Sequence, residues 1–232
     1  MSKTVVIHQP DFLPYLGFFQ RFLHADQWVV LDHAQFLSGS KSWHNRDKVR
    51  TVNGTAWITV AVTKTAQKTP INRVLLSPDQ SWRNKMLNRL HHDYCKSPFF
   101  AEVFPRLEEL LHEPVERLVD FNMAGIRLLM ELFDVHIDFV FSSALEIEGT
   151  KTTMLVDICK KVEADIYLSG LGARDYLEPH LFDAADISLK WQNFNHPVYP
   201  QLHGDFIPFL SSIDLLLNCG VEKSRDILRS CR

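Results

Sequence analysis

Short apolar runs and amphipathic stretches alternate at the start of the chain. Residues 4–7 (Thr-Val-Val-Ile) form a β-branched run that ends at His8, a pattern typical of a buried strand. Apolar side chains then recur at helical spacing between residues 15 and 25, and a second predicted strand, residues 28–32, is an apolar run that ends in the carboxylate of Asp32. Strand, loop, helix and strand within about 30 residues is the βαβ pattern, which predicts a parallel sheet and an α/β fold.

The same patterns continue through the rest of the chain. Thr152 or Thr153 is the expected N-cap of one later helix. Because nothing marks a linker, we predict one domain over residues 1–232, with a Rossmann-like three-layer parallel sheet and a mostly helical subdomain inserted near residues 82–133. The further predicted strands cover residues 56–62, 136–141, 166–168 and 187–189, and the further helices cover residues 82–94, 100–111, 115–133, 152–162, 206–217 and 223–228.

Composition excludes several classes of protein. Hydrophobic residues make up 46% of the 232 residues and charged residues 23%, which excludes intrinsic disorder and coiled coil. The formal net charge of −3 argues against nucleic acid as a partner. No apolar run reaches the roughly 18 residues of a membrane span, so we expect no membrane insertion. No pattern in the sequence sets an oligomeric state.

The chain start and the cysteines bear on the cellular compartment. The first ten residues lack the longer apolar core of a secretion signal. The cysteines, Cys95, Cys159, Cys219 and Cys231, form no close pair and no disulfide framework. We therefore expect a reduced, cytoplasmic protein. The expected partner is a small-molecule substrate.

Polar side chains follow several of the predicted strands. Ligands of open α/β sheets bind beyond the carboxyl ends of parallel strands, and those ends meet at one edge of the sheet. Candidate binding residues are therefore expected directly after each strand. The residues in these positions are His8 and Gln9, Asp32, His33 and Gln35, Ser169, Gly170 and Gly172, and Gln192.

His8 is the first candidate for chemistry. A histidine at the end of a buried strand can contact a phosphate or act as a general acid or base, although it can also simply cap the backbone of a turn. Gly17, at the start of the next helix, would let the backbone approach a ligand, and helix N-termini favour anions. Asp32 and Gln35 could orient a hydroxyl or an amine, bind a metal, or belong to an ordinary loop.

The segment from residue 41 to residue 46 suits an anionic substrate. Lys41 offers a point charge, Arg46 offers a fork for phosphate or carboxylate, and Asn45 adds an amide. A solvated polar loop is the alternative. We expect Lys48 and Arg50, just beyond this segment, to lie at the surface.

Residues 169–174 (Ser-Gly-Leu-Gly-Ala-Arg) follow a predicted strand and could cradle a phosphate with their backbone amides. The segment is not a P-loop, because no GK[ST] follows, and residue 175 is Asp where the dinucleotide-binding fingerprint needs its third glycine. Tyr176 either lines the same pocket or belongs to the core.

Eleven histidines raise the question of a metal site. The chain has no H-E-x-x-H motif and no Cys/His pair at ligand spacing, so we predict no metal ligands. A metal-dependent hydrolase with scattered ligands stays as a second alternative. The chain also lacks the G-x-S-x-G of a serine hydrolase.

The opening block, His8-Gln9-Pro10-x-x-x-Pro14-x-x-Gly17-Phe18-Phe19, resembles the start of the WbqC-like protein family. Similar blocks run nearly to the end of the chain, among them 167–170, 175–177, the His196-Pro197-x-Tyr199-x-Gln201 loop and residues 211–220. The positions that match the family pattern and are carried over as site candidates are His8, Gln9, Asp32, Gln35, Asn45, Arg46, Gly170, Tyr176, Gln201 and Asp214.

The resemblance implies an enzyme of bacterial surface-polysaccharide (O-antigen) biosynthesis. We expect a transferase or ligase that places a small amino or acyl group on a sugar nucleotide or another nucleotide-activated substrate, with ATP or a sugar nucleotide as the bound nucleotide. His8, Asp32 and Arg46 are the expected catalytic residues. The alternative is a non-catalytic module that binds a sugar nucleotide or a partner enzyme. The expected substrate-binding residues are Gln9, Gly17, Gln35, Lys41, Asn45, Ser169, Gly170, Gly172, Tyr176, His196, Gln201 and Asp214.

A fainter similarity concerns mechanism. The order of strand, histidine turn, helix and strand is similar to the start of pantothenate synthetase and other nucleotidyl-transferring α/β enzymes. Those enzymes adenylate a carboxylate and then couple an amine. Their paired His-x-Gly-His is missing here, since His8 stands alone in that block.

Overall fold

A computed structural model describes residues 2–39 and 42–231 of the chain. The predicted β1–α1–β2 start is confirmed, as are the three helices of the middle region. The strands are β1 (Thr4–His8), β2 (Gln27–Val30), β3 (Arg46–Thr51), β4 (Gly54–Thr59), β5 (Asp138–Phe141), β6 (Ile166–Ser169) and β7 (Ser188–Trp191). The helices are α1 (Leu16–Phe22), α2 (Ser81–Tyr94), α3 (Phe100–Leu111), α4 (Leu118–Phe133), α5 (Lys151–Lys161), α6 (Pro179–Asp183), α7 (Ile213–Cys219) and α8 (Val221–Ser230).

Five strands form one parallel sheet in the order β5-β2-β1-β6-β7. Counted along the chain, these strands stand in the order 3-2-1-4-5, which is the Rossmann order. The expected Rossmann-like α/β fold is therefore confirmed. The chain runs outward from β1 through β2 on one side and later through β6 on the other. The order reverses between β1 and β6, and the carboxyl ends of these two strands flank the crevice in which such folds bind ligands.

The sheet has apolar side chains on both faces. Val6 belongs to the larger core cluster, together with residues of α1, α4 and α7, because alternate residues of a strand face opposite sides. Val5 and Ile7 belong to a second cluster with Ile158 of α5 and Phe182 of α6. Helices cover both faces, so the expected three layers are present.

The segment between β2 and β5 contains an element that the sequence analysis missed. Residues 46–51 form β3, which pairs antiparallel with β4. The expectation that Arg50 lies at the surface is wrong, because its side chain is 5% exposed. The Arg50 guanidinium donates to the Gly54 carbonyl at 2.7 Å and also to the carbonyls of His203 and Asp205. The hairpin turns Arg50 inward onto the loop that precedes α7.

Two predicted helix boundaries are also wrong. Residues 206–212 are not helical. The Ser211 N–H donates to the Lys48 carbonyl of β3 at 2.9 Å instead of to a preceding helical turn, and the Ser211 hydroxyl donates to the Leu13 carbonyl at 2.6 Å. The N-cap of α5 is Thr150, whose N–H donates to Oγ1 of Thr153 at 3.0 Å in a capping box. Among the helices of the described residues, none is long and apolar enough to cross a membrane.

Candidate functional site

A cavity of about 1320 Å³ opens at the carboxyl ends of β1 and β6, at the point where the strand order reverses. The end of β1 and the turn after it contribute His8, Gln9 and Asp11 to its wall, and the end of β6 and the turn after it contribute residues 169–173. Residues that were far apart in sequence therefore meet around one space. The candidate residues of the sequence analysis that line it are His8, Gln9, Ser169, Gly170, Gly172, Tyr176 and Gln192.

His8 is held as a neutral imidazole at the end of β1. Its Nδ1 lies 2.9 Å from the Gln9 carbonyl oxygen, which can only accept, so Nδ1 carries the hydrogen and Nε2 carries the lone pair. Burial, and after it the charge of Arg21, lower the pKa of His8 to about 3. At pH 7 His8 is thus a neutral ring whose Nε2 can accept a hydrogen bond, and not a cation that could attract a phosphate.

Asp11 is a cavity residue that the sequence analysis did not single out. Its Oδ2 lies 3.8 Å from Nδ1 of His8, and its N–H donates to the Gln9 carbonyl, which closes the turn. Burial raises the pKa of the Asp11 carboxyl to about 7, with Arg21 acting in the opposite direction. A carboxyl that titrates near neutral pH can exchange protons with a substrate.

Asp47 brings a second carboxyl to the cavity from β3. Its side chain is 2% exposed, and burial raises its pKa well above the usual range, with the nearby Asp11 charge adding to this rise. The N–H of Lys48 donates to Asp47 Oδ1 at 2.6 Å and partly opposes the shift. The cavity therefore combines a neutral histidine with two carboxyls that hold protons unusually well.

Arg21 reaches the cavity from α1. The residue is 3% exposed, and its Nε has no hydrogen-bond partner among residues 2–39 and 42–231. Burial lowers its pKa, while Tyr15, Tyr167 and Asp11 raise it. A guanidinium keeps its proton in proteins, so Arg21 places a positive charge in the cavity wall.

Gly17 shapes the cavity without lining it. A Cβ at this position would lie 2.4 Å from Cε2 of Tyr15 and 2.9 Å from Cδ1 of Phe194. The rings of Tyr15 and Phe194, which both line the cavity, can therefore pack over the start of α1 only because Gly17 has no side chain. The Gly17 carbonyl accepts from Nε2 of Gln192 at 2.7 Å.

Asp32 lies in a separate cleft, away from the cavity. Its Oδ1 accepts from the Ser142 hydroxyl and the Ser143 N–H, both at 2.9 Å. Its Oδ2 accepts from the Ser143 hydroxyl at 2.6 Å and from the Asn72 amide at 3.0 Å. Burial alone would raise the pKa of Asp32, but these hydrogen bonds together lower it. Its contacts tie the end of β2 to the turn after β5.

The other candidates of the hairpin region also lie outside the cavity wall. The Arg46 guanidinium lies over the Trp57 ring at 4.0 Å, and the Asn45 amide donates to the Val60 carbonyl at 2.9 Å. Gln35 is exposed and pairs with Pro70 in an isolated bridge. Lys41 lies outside the described residues.

Asp214 and Gln201 form a buried network behind the cavity. Asp214 accepts from the Tyr94 hydroxyl at 2.7 Å, the Tyr199 hydroxyl at 2.9 Å and the Gln201 amide at 2.8 Å. Asp214 is fully buried, and burial raises its pKa. The network anchors the loop that carries His196. The His196 ring packs against Phe194, Tyr199, Phe206 and Phe209, of which Phe194 and Phe209 line the cavity.

One signal in the sequence could have identified Arg21. It stands four residues after Gly17 on α1, so the two lie on the same face of the helix. Asp11 and Asp47 carry no comparable signal, because one follows a proline turn and the other belongs to the strand that was missed.

A metal site needs several ligating side chains close together. Across residues 2–39 and 42–231, no group of three or more His, Cys, Asp or Glu side chains is placed to hold an ion. The metal-dependent hydrolase alternative therefore gains no support from their geometry.

The fold and the cavity define a class, namely Rossmann-like α/β proteins with a ligand crevice between the first and fourth strands of the sheet. The family model described as "WbqC-like protein family" matches residues 9–226, and the chain belongs to that family. It is 29% identical over 232 residues to "Uncharacterized protein Rv1507c" of Mycobacterium tuberculosis, with 99% of each chain covered. No solved structure matches the chain.

Proposed function

We propose that this protein is an enzyme that transfers or ligates a small amino or acyl group on a sugar nucleotide or another nucleotide-activated substrate, in the synthesis of a bacterial surface polysaccharide. The observation that carries the proposal is the pairing of His8 and Asp11 in the cavity at the reversal of strand order. Membership of the WbqC-like family supports the assignment to polysaccharide synthesis.

The size of the cavity supports a reaction with two substrates. Ligand pockets commonly measure about 300–1,000 Å³. The volume of about 1320 Å³ exceeds that range and leaves room for a nucleotide-bearing substrate and a small second reactant. Gln9 and the Ser169–Gly172 turn line the same space and are proposed to bind the larger substrate.

His8 and Asp11 supply the proposed acid–base chemistry. An amine that attacks an activated carbonyl forms a C–N bond and must lose a proton as the bond to the leaving group breaks. Asp11, which titrates near pH 7, is the proposed acceptor of that proton. The free Nε2 of neutral His8 is proposed to accept a hydrogen bond from the amine and to orient it before the attack. We assign no role in the reaction to Asp32, Arg46 or Asp214. Asp32 and Asp214 accept hydrogen bonds from other residues of the chain, and Arg46 lies over the Trp57 ring.

The proposal is tested by assaying turnover with His8→Ala and Asp11→Asn. Purified protein is incubated with a panel of sugar nucleotides, ATP and small amine or acyl donors, and products are detected by mass spectrometry. Asp11→Asn should lower turnover by at least about 100-fold, the usual contribution of general acid–base catalysis, and His8→Ala should lower it by misplacing the amine. His92→Ala, which removes an exposed histidine of α2, is the matched control and should retain full turnover.

Two results would overturn the proposal. Turnover that survives both His8→Ala and Asp11→Asn would place the chemistry elsewhere. Binding of a sugar nucleotide by the wild-type and His8→Ala proteins, without turnover under any condition, would favour a non-catalytic binding module.

A further inference from the structure

Arg21 differs from the other buried arginines in its contacts. Arg50 and Arg83 are 5% and 8% exposed, and both donate to carbonyl oxygens of the backbone. Arg83 also donates to Oε1 of Gln80 at 2.5 Å. Arg21 is 3% exposed, yet among the described parts of the chain its guanidinium has no hydrogen bond to a protein acceptor and no ion pair with a carboxylate.

Burying an arginine without a partner is costly, since both its charge and its donors lose water. The fold nevertheless places Arg21 where it lines the large cavity. A charged side chain in this position is stabilised when an anion enters the cavity and accepts from the guanidinium. Packing gives the Arg21 charge a ring contact, over Phe18 at 5.7 Å, but that contact leaves the N–H donors of the guanidinium free for an anion.

Gly170 leaves the space beside this guanidinium open. A Cβ on Gly170 would lie 3.3 Å from Nη1 of Arg21. The backbone of Gly170 has φ −72° and ψ 152°, which any residue can adopt. The backbone conformation therefore does not require glycine here. What glycine provides is free access from the cavity to Arg21.

We propose that Arg21 and the adjoining Gly170 form an anion-binding subsite, which takes a phosphate or carboxylate group of the substrate. The identity of the substrate in this inference rests on the proposed function, whereas the presence of the subsite does not. The planar guanidinium matches both groups with two parallel hydrogen bonds. The neutral His8 beside it neither competes for the anion nor repels it.

The neighbouring carboxyls of Asp11 and Asp47 are compatible with such an anion. Both lie in the same cavity wall, and both hold their protons more strongly than exposed aspartates do. In their protonated form they donate hydrogen bonds instead of repelling a negative group. Lys151, at the start of α5, adds a second positive side chain to the cavity lining.

The test measures anion binding directly, without turnover. Isothermal titration calorimetry is run on the full chain with inorganic pyrophosphate in one arm and acetate in the other. Pyrophosphate that binds more tightly than acetate identifies the phosphates of a nucleotide as the natural occupant, and the reverse order identifies a carboxylate substrate. We expect Arg21→Gln to weaken binding of the more tightly bound anion by about 10- to 100-fold, which corresponds to the loss of one charge-assisted hydrogen bond.

Two further variants keep the test decisive if Arg21→Gln does not fold. Gly170→Val leaves the charge in place and fills the approach to it, so it should weaken anion binding to a similar extent. Arg174→Gln removes a nearby cation that does not line the cavity and should bind as the wild type does.

The subsite is overturned if the wild-type protein binds neither anion, if Gly170→Val binds as the wild type does, or if Arg174→Gln loses as much affinity as Gly170→Val. These outcomes are independent of the turnover assay. Anion binding that depends on Arg21 without any turnover would leave the subsite standing and refute the enzyme. Turnover that depends on His8, together with anion binding that Gly170→Val leaves unchanged, would support the enzyme and refute the subsite.

Discussion

The Nδ1 atom of His8 and the Oδ2 atom of Asp11 lie 3.8 Å apart at the end of β1, in the wall of the large cavity. The environment moves the two pKa values in opposite directions, that of His8 down to about 3 and that of Asp11 up to about 7. Burial is the main cause in both cases, because it disfavours the charged form of either group. Near neutral pH the pair therefore consists of a free base and a carboxyl that can hold or release a proton.

Asp11→Asn should change the pH dependence of stability. An unfolded aspartate loses its proton near pH 3.8, but Asp11 loses it near pH 7 in the folded chain. Between these values the folded state binds more protons, so Asp11 costs stability as the pH rises. Asn lacks this cost, so the variant should match the wild type near pH 4 and exceed it by up to about 4 kcal/mol near pH 7.

Urea denaturation at several pH values measures this difference. Asp226→Asn, at an exposed position of α8, is the control and should show no such trend. A constant difference between Asp11→Asn and the wild type from pH 4 to pH 7.5 would show that Asp11 titrates normally.

The His8 ring should stay neutral over the range in which an ordinary histidine titrates. Its pKa of about 3 lies far below the usual 6.5, so its ring nitrogens should keep the chemical shifts of a neutral imidazole between pH 5 and pH 8, with only a small displacement as the nearby Asp11 titrates. Unfolded His8 would take up a proton near pH 6.5, so acidification from pH 6.5 towards pH 3 should destabilise the folded chain. Arg21→Gln should raise the His8 pKa, since the Arg21 charge is the second cause of the shift.

Histidine-selective 15N spectra over a pH series distinguish the two ring nitrogens. The hydrogen is expected on Nδ1, because Nδ1 faces the Gln9 carbonyl. Conversion of the His8 signals to those of an imidazolium with a midpoint near 6.5, or the hydrogen on Nε2, would contradict the assigned role of neutral hydrogen-bond acceptor.

Asp214→Ala should destabilise the fold strongly while sparing the cavity. The substitution leaves the hydroxyls of Tyr94 and Tyr199 and the Gln201 amide without their acceptor in a buried site. The expected loss is about 3–5 kcal/mol in the free energy of unfolding. Asp226→Ala is the exposed control. A variant of normal stability that no longer binds a substrate of the wild-type protein would instead make Asp214 a direct ligand residue.

Gly17→Ala should disturb the aromatic wall of the cavity. The new Cβ would overlap the Tyr15 ring, which must shift together with Phe194. Such overpacking typically costs about 1–3 kcal/mol. Gly172→Ala is the stability control, since a Cβ there meets no atom within 4 Å among the described residues. Equal unfolding free energies for the two variants, measured by urea denaturation, would show that Tyr15 moves aside freely.

The site was only partly predictable from the sequence. His8, Gln9, Ser169 and Gly170 follow strands, and a parallel sheet brings strand ends together, so their presence at one cavity follows from local patterns. Asp32 also follows a strand, yet its carboxylate faces Ser142 and Ser143 instead. A position directly after a parallel strand therefore predicts that a residue lies at the carboxyl edge of the sheet, but it does not predict which way the side chain points.

By itself, the sequence determined the βαβ start, the parallel sheet and the histidine at the end of β1, because apolar periodicity records which face of each element is buried. Only the tertiary structure decided that Arg21 and Asp47 share a cavity with His8, and that the side chains of Arg46 and Asp214 bond within the protein. The periodicity does not record which residues of distant elements lie opposite a polar side chain. Those neighbours are set by how the β3–β4 hairpin and α1 pack around the end of β1, and they determine which charges stay free for a substrate.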